Sequence, residues 1–458
     1  MPKKPDALLE PPPPAADEDV LLEVEDLKVH FPLRGSFFQR LVGREAGSVK
    51  AVDGVSFQLR RGEVLGLVGE SGSGKTTLGR AVLRLVEPTS GAIRFQGKDI
   101  TNLSESRLRE LRRRMQIVFQ DPHASLNPAM DIGTAVGHPL EIHGLASGRR
   151  AVESRVSQVL TRVGLSPVDQ FMRKYPSDLS GGQKQRAVLA RAVILDPDVL
   201  IADEPVSMLD MSVRAKILEL MLDLKRDFEL TYLYITHDLA TAKFFCDRLA
   251  IMYLGRIVEI GPSKSIYEDP KHPYTVSLLK AIPEPDPRKS IPRDLPRGEV
   301  PDAVNPPLGC SFHPRCPRAF EVCGWESRDV RDALEDRWTR LGEEGFGKED
   351  AVVGSLDSLD EPAYTARLSA GSGHSAREVV ELLERIRDED SDAGVWRGVR
   401  GLRAEREQAV IEFHEGIDPR LLPTDGVEVE CHLYDEDAKR RAEEYARAAG
   451  GQAGHEAG

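Results

Sequence analysis

An α/β fold is what the sequence predicts: a mixed core sheet covered by helices, with an antiparallel β layer and a helical lobe. Three observations predict it. The continuous apolar run 64–68 runs straight into Gly69-Glu70-Ser71-Gly72-Ser73-Gly74-Lys75-Thr76, and a helical segment follows. Further apolar runs at 199–202, 230–235 and 248–253 alternate with helical segments at 183–195 and 213–228, the pattern of strands buried on both faces of a parallel sheet. Ahead of the glycine loop, residues 21–31 and 49–59 alternate apolar and polar side chains, as half-buried strands of an antiparallel layer do.

Taken in order, residues 1–20 form a Pro-rich, acidic leader expected to be disordered. A nucleotide-binding domain is expected over 21–262, with a basic loop at 36–48, a helix at 76–86, a short strand at 116–119 and a mainly helical lobe over about 125–178. Residues 263–323 are studded with proline and carry three cysteines, so only short helices and an extended strap are expected there. Residues 324–430 are highly charged and read as a partly flexible surface extension, with helices expected at 376–386 and 402–413. Residues 431–458 hold the last cysteine, a helix at 438–448 and a small-residue tail.

The bulk numbers exclude several classes. A formal charge of −13 over 458 residues argues against a nucleic-acid groove covering the protein. The longest apolar runs are far too short to span a bilayer, and the start lacks a charged-then-apolar secretory pattern. A cytosolic chain is expected, reaching a membrane only through a partner. Cys246 reads as a small buried hydrophobe, and an oxidised framework is not expected for the remaining four cysteines.

The loop 69–76 needs its glycines because backbone amides must turn inward around a phosphate oxygen, where Cβ atoms would collide. The helix beginning near Lys75 aims its unpaired amides at the same anion. Lys75 would bridge the β- and γ-phosphates of ATP, and the Thr76 hydroxyl would join Mg2+. Asp203-Glu204 follows a buried strand, which places Asp203 for magnesium and Glu204 for the base that polarises water. His237 ends another strand and can bond the γ-phosphate; Gln120 ends the strand 117–119 and can reach the metal and the water. Ser180-Gly181-Gly182-Gln183 fits a capping box. Two glycines in a first helical turn cost stability, however, and suit a second phosphate cradle, for ATP held by another subunit.

At these residues the chain resembles the ATP-binding subunits of ABC transporters, which implies a P-loop NTPase of ABC type. Gly69, Ser71, Gly72, Ser73, Gly74, Lys75, Thr76 and the adjacent Thr77 match the nucleotide loop, Gln120 the Q-loop, and Leu179, Ser180, Gly181, Gly182 and Gln183 the signature motif. Asp203 and Glu204 match the acids, Ser207-Met208-Leu209-Asp210 the D-loop with methionine where alanine is usual, and His237 the switch histidine. Phe31 falls where the family stacks an aromatic on adenine; a core-strand phenylalanine is the plain alternative. Val49-Lys50-Ala51-Val52-Asp53-Gly54, Gln120-Asp121-Pro122, His272-Pro273-Tyr274-Thr275 and Gly309-Cys310-Ser311-Phe312-His313-Pro314-Arg315-Cys316 narrow the resemblance to dipeptide/oligopeptide importer ATPases. It implies two transmembrane permease subunits, a paralogous ATPase as head-to-tail heterodimer, an extracytoplasmic solute-binding protein, no nucleic acid, and a peripheral place on the cytoplasmic face of the membrane. Related nickel or oligosaccharide importers stay open, and a soluble nucleic-acid-associated ABC ATPase is the more distant reading. The 107 residues 324–430 depart from the family. Cys310, Cys316, Cys323 and Cys431 suit zinc, a [4Fe-4S] cluster or plain burial; the resemblance implies iron–sulfur.

Overall fold

The computed structural model describes residues 19–33, 47–146, 148–282, 299–390 and 393–452. The leader up to residue 18, nearly all of the basic 36–48 loop, the prolines at 283–298 and the last six residues lie outside the described residues. The chain divides into two compact units, Met1–Tyr267 and Glu268–Gly458.

In the first unit, β1 (Val20–Pro32) and β2 (Ser48–Arg60) pair antiparallel, and β1 also pairs with β4 (Ser90–Phe95), which carries the short β5 (Lys98–Asp99). The core sheet contains β3 (Val64–Val68), β6 (Met115–Val118), β7 (Val199–Asp203), β8 (Thr231–Thr236), β9 (Arg248–Tyr253) and β10 (Arg256–Pro262). Its order in this unit is β10-β9-β3-β8-β7-β6, with β10 antiparallel to β9 and the other neighbours parallel. All residues of β3, β7 and β8 are buried, as the uninterrupted apolar runs require. Parallel register aligns the strand ends: Val68 lies opposite Thr236, and Asp203 opposite Ile235. The residues that follow β3, β7 and β8 therefore emerge side by side at one carboxyl edge, the edge at which open α/β sheets bind ligands.

The lobe between β6 and β7 is built from helices Ile132–Ile142, Arg149–Arg162 and Val168–Met172. Asp131 caps the first by accepting from the Thr134 amide at 2.7 Å. Cys246 is buried, and a Cβ on Gly66 would fall 2.6 Å from its sulfur, so β3 needs glycine where the thiol packs.

The second unit differs from expectation. Residues 324–430 build most of a core, with Trp325, Val330, Leu334, Val379, Leu382, Leu383, Ile386, Trp396, Ile411 and Phe413 buried in it alongside Ala319 and Cys323 of the preceding segment. Helix Ala376–Glu389 presents Val379, Leu382, Leu383 and Ile386 to it, the i, i+3, i+4, i+7 spacing of an amphipathic helix; each such burial is worth about 1.5–3 kcal/mol against exposure. Ser375 and Glu378 form its capping box. The helix expected at 402–413 is instead a hairpin of β12 (Val399–Glu405) and β13 (Gln408–Phe413), which β11 (Thr365–Ser369) extends into a three-stranded antiparallel sheet. Its charged face is laced by Arg367–Glu405, Arg403–Glu405 and Arg400–Glu412 pairs, while Ala409 and Ile411 turn inward. Arg, Glu and Ala favour a helix locally, and cross-strand pairing overrides that preference here. Hairpin β14–β15 (Leu421–Thr424, Val427–Glu430) and helix Glu436–Gln452 complete the unit.

Candidate active site

The loop after β3 is shaped by its glycines. Gly72 and Gly74 have φ of 80° and 100°, a region that disfavours residues with a Cβ. A Cβ on Gly69 would stand 2.1 Å from the Met252 carbonyl oxygen, and one on Gly74 2.0 Å from that of Ala51. Gly74 caps helix Lys75–Val82, whose first-turn amides face the loop as at any helix start. The Lys75 ammonium turns into the loop and donates to the carbonyls of Gly69 (2.9 Å) and Glu70 (2.7 Å) and to Ser73 Oγ (3.2 Å). Burial lowers the Lys75 pKa, and the nearby Glu204, Asp203 and Glu70 carboxylates offset part of that shift. Ser71 and Gly72 are exposed and Thr77 is half-buried on the helix.

Beside this cradle, the Thr76 hydroxyl donates to Asp203 Oδ1 at 3.0 Å. Burial raises the Asp203 pKa, and the Thr76 bond, Arg80 and Lys75 pull it back. Glu204, the next residue, sits at φ 47° with its amide bonded to the Ile235 carbonyl at 2.9 Å. That left-handed turn takes its side chain out of the strand. Two groups converge on its carboxylate: Gln120 Nε2 donates to Oε2 at 2.9 Å, and His237 Nδ1 lies 3.0 Å from Oε1. The structure thus brings Lys75, Thr76, Asp203, Glu204, Gln120 and His237 together from strands β3, β6, β7 and β8. A cradle that only glycines fit, a lysine inside it and a hydroxyl–carboxylate pair at its rim suit a nucleotide triphosphate with Mg2+.

Other expected residues lie around this centre. Phe31 stands partly exposed near the end of β1 and pairs with Val49, two residues before the Ala51 carbonyl that abuts Gly74. The 179–183 motif opens helix Gly181–Val193 with the capping box its sequence suggests: Ser180 Oγ accepts from the Gln183 amide at 3.4 Å, and Gln183 Oε1 accepts from the Ser180 amide at 3.0 Å. Ser180 is exposed and Leu179 buried. A Cβ on Gly182 would come within 2.7 Å of Val213, so tight packing is one reason for that glycine.

Two residues beyond the expected set border the centre. Arg214, in the first turns of helix Met211–Phe228, donates from Nε to the Leu209 carbonyl (2.7 Å) and from Nη2 to the Ser207 carbonyl (3.2 Å). Its Nη1 lies 3.8 Å from Asp238, the residue after His237. The one sequence signal for it is a cation near a helix N-terminus, where the macrodipole disfavours it.

The iron–sulfur expectation does not hold. Among the described residues, no group of three or more His, Cys, Asp or Glu side chains is arranged to hold a metal ion. This removes the [4Fe-4S] assignment, and the zinc alternative, for Cys310, Cys316, Cys323 and Cys431. Two of the sulfurs belong to the core of the second unit, Cys323 as a buried member and Cys316 packed against it, and Cys310 and Cys431 are buried as well. Cys323 Sγ accepts from the Phe320 amide at 3.4 Å. Burial pushes the Cys316 thiol up to about 12 and raises Cys323 further, with the neighbouring cysteines adding to the shift. Protonated thiols in an apolar setting act as small hydrophobes. A thiol reagent at pH 8 should therefore label the native protein slowly and at Cys316 first, with all five cysteines reacting after denaturation. Rapid labelling of Cys310, Cys323 and Cys431 in the native state would contradict this packing.

Comparison with known proteins agrees with the site. The ABC transporter family model matches residues 52–207, and the model of the oligopeptide/dipeptide transporter C-terminal region matches 258–323. The oligopeptide transport ATP-binding protein AppF of Bacillus subtilis is 46% identical over 322 residues, which cover 70% of this chain and 96% of AppF. A putative peptide import ATP-binding protein of Brucella ovis is 46% identical over 315 residues, 69% of this chain and 95% of the relative. Among solved structures, cbiO1 of Clostridium perfringens, part of the ABC transporter complex cbiONQ, is 28% identical with a TM-score of 0.47, covering 55% of this chain and 92% of cbiO1.

Proposed function

We infer that this chain, which belongs to the ATP-binding proteins of ABC transporters in their oligopeptide/dipeptide branch, hydrolyses ATP to power peptide import. The observation that carries the ATPase reading is the convergence of Gln120 and His237 on Glu204 beside the Lys75 loop. The 46% identity to AppF across 96% of that protein supports peptide over nickel or oligosaccharide.

In this reading Gly69, Ser71, Gly72, Ser73, Gly74, Lys75, Thr76 and Thr77 hold the ATP phosphates, and Phe31 packs on the adenine. Thr76, Asp203 and Gln120 would hold Mg2+, which would supply charge neutralisation for the ATP phosphates. Glu204 accepts the proton of the attacking water, Gln120 orients that water, and His237 steadies Glu204 through Nδ1 while Nε2 is left for the γ-phosphate. Leu179, Ser180, Gly181, Gly182 and Gln183 serve the ATP held by a paralogous ATPase in a head-to-tail pair. No helix among the described residues is long and apolar enough to cross a membrane. Two permease subunits would therefore supply the pore and hold the chain peripherally at the cytoplasmic face, and an extracytoplasmic binding protein would deliver the peptide.

The test is reconstitution with permeases, sister ATPase and binding protein in vesicles. Turnover per chain should rise about tenfold or more over the isolated chain when peptide-loaded binding protein is present. Ser180→Ala should slow the site built on the sister's glycine loop more than the site built on Lys75. Equal turnover of a demonstrated monomer and the complex, without peptide accumulation, would overturn the transport reading.

A further inference from the structure

Glu204 and His237 leave the sheet on neighbouring strands, whose ladder ends at the bond from the Glu204 amide to the Ile235 carbonyl; beyond that bond the two segments need a further tie to keep their 3.0 Å side-chain contact. Arg214 touches both. On one side its Nε and Nη2 bind the carbonyls of Leu209 and Ser207. Ser207 in turn donates its amide (3.2 Å) and its hydroxyl (3.0 Å) to the Glu204 carbonyl. On the other side Nη1 faces the Asp238 carboxylate at 3.8 Å. Asp238 is covalently next to His237 and is itself fixed: its carboxylate accepts the amides of Ala240 (2.9 Å) and Thr241 (3.3 Å), and its own amide donates to Thr236 Oγ1 (3.0 Å). A closed circuit results, running Glu204–Ser207–Arg214–Asp238–His237 and back to Glu204.

Helix stability does not explain the arginine. It lies four residues after the N-cap Asp210, where a cation opposes the helix dipole, and its donors go to the preceding loop and towards Asp238. A planar fork that reaches two carbonyls and a carboxylate at once is a geometry lysine cannot copy. The backbone Arg214 holds also bears Met208 and Met211, 61% and 84% exposed, on either side of the buried Leu209; Leu209 anchors the loop at one point, and Arg214 adds the tie from its carbonyl and that of Ser207 to Asp238.

We propose that Arg214 is a positioning residue of the ATPase site, which sets the Glu204–His237 geometry by tying the 207–210 loop to Asp238. The proposal rests on Glu204 being the base.

The experiment measures ATP turnover and nucleotide binding of the full complex carrying Arg214→Ala, Arg214→Lys, Glu204→Gln and the double variant Arg214→Ala/Glu204→Gln. Arg214→Ala should lower kcat about tenfold and leave the ATP Kd within about twofold, because the cradle is untouched. Arg214→Lys keeps the charge and loses the fork, so it should recover part of the rate and secure the reading if the alanine variant assembles poorly. In the Glu204→Gln background the arginine change should cost nothing further, since it acts through Glu204; a merely structural arginine would add its full loss there. Normal kcat in both single variants, with Glu204→Gln inactive, overturns the positioning role and leaves the ATPase reading standing. Unimpaired turnover in Glu204→Gln overturns the base assignment, and the positioning role falls with it.

Discussion

Glu204→Gln in the assembled complex is expected to lower ATP turnover by about two to three orders of magnitude while ATP binding stays within about twofold. Glutamine keeps the size of the side chain and one oxygen to accept the Gln120 bond now made to Oε2. What it loses is the capacity to take a proton from water. The binding groups are separate: the loop is formed by Gly69, Gly72 and Gly74, and Lys75 is anchored on the Gly69 and Glu70 carbonyls. Turnover and nucleotide binding, measured on one preparation, decide it. Hydrolysis at the normal rate in both sites would show that the base is another group.

The separation of binding from chemistry was legible in the sequence because each reactive residue directly follows a short apolar run. Gly69 follows β3, Glu204 follows β7 and His237 follows β8; parallel register then carries all three to one edge. Gln120 was legible only as a strand-end residue, and its bond to Glu204 supplied the reason for it. Arg214 was not legible, because its partners are the carbonyls of Ser207 and Leu209 and a carboxylate 24 residues away, and no side-chain pattern announces a backbone acceptor. Residues 402–413 were misread as helix for a related reason. Leu402, Ala404 and the run Ala409–Ile411 carry too few apolar residues to separate a period of 2 from 3.6, and the neighbour that settles it, β11, is about 40 residues earlier in the chain. The cysteines misled by analogy: spacing alone left burial open, and Cys323 lies in a core with Trp325 and Phe413.

Gly74→Ala is expected to weaken ATP binding about a hundredfold or more, roughly 2.7 kcal/mol, and to lower the unfolding midpoint by several degrees. Two costs combine at this residue. Its φ of 100° lies outside the regions an L-alanine occupies readily, which costs about 1–2 kcal/mol. The new Cβ would also lie 2.0 Å from the Ala51 carbonyl oxygen and 2.9 Å from Met252 Cε. The methionine tip can swing aside; the carbonyl belongs to β2, held by its antiparallel pairing with β1, and cannot. Relief must come from the loop, which pulls the start of helix Lys75–Val82 and the Lys75 ammonium away from the phosphate cradle. Gly72→Ala separates the two costs, since Gly72 also has positive φ (80°) but nothing within 4 Å of its Cβ. It should lower the midpoint by less than Gly74→Ala. Thermal unfolding of both variants without nucleotide reads the difference, and equal midpoints would mean that the Ala51 contact does not constrain the loop.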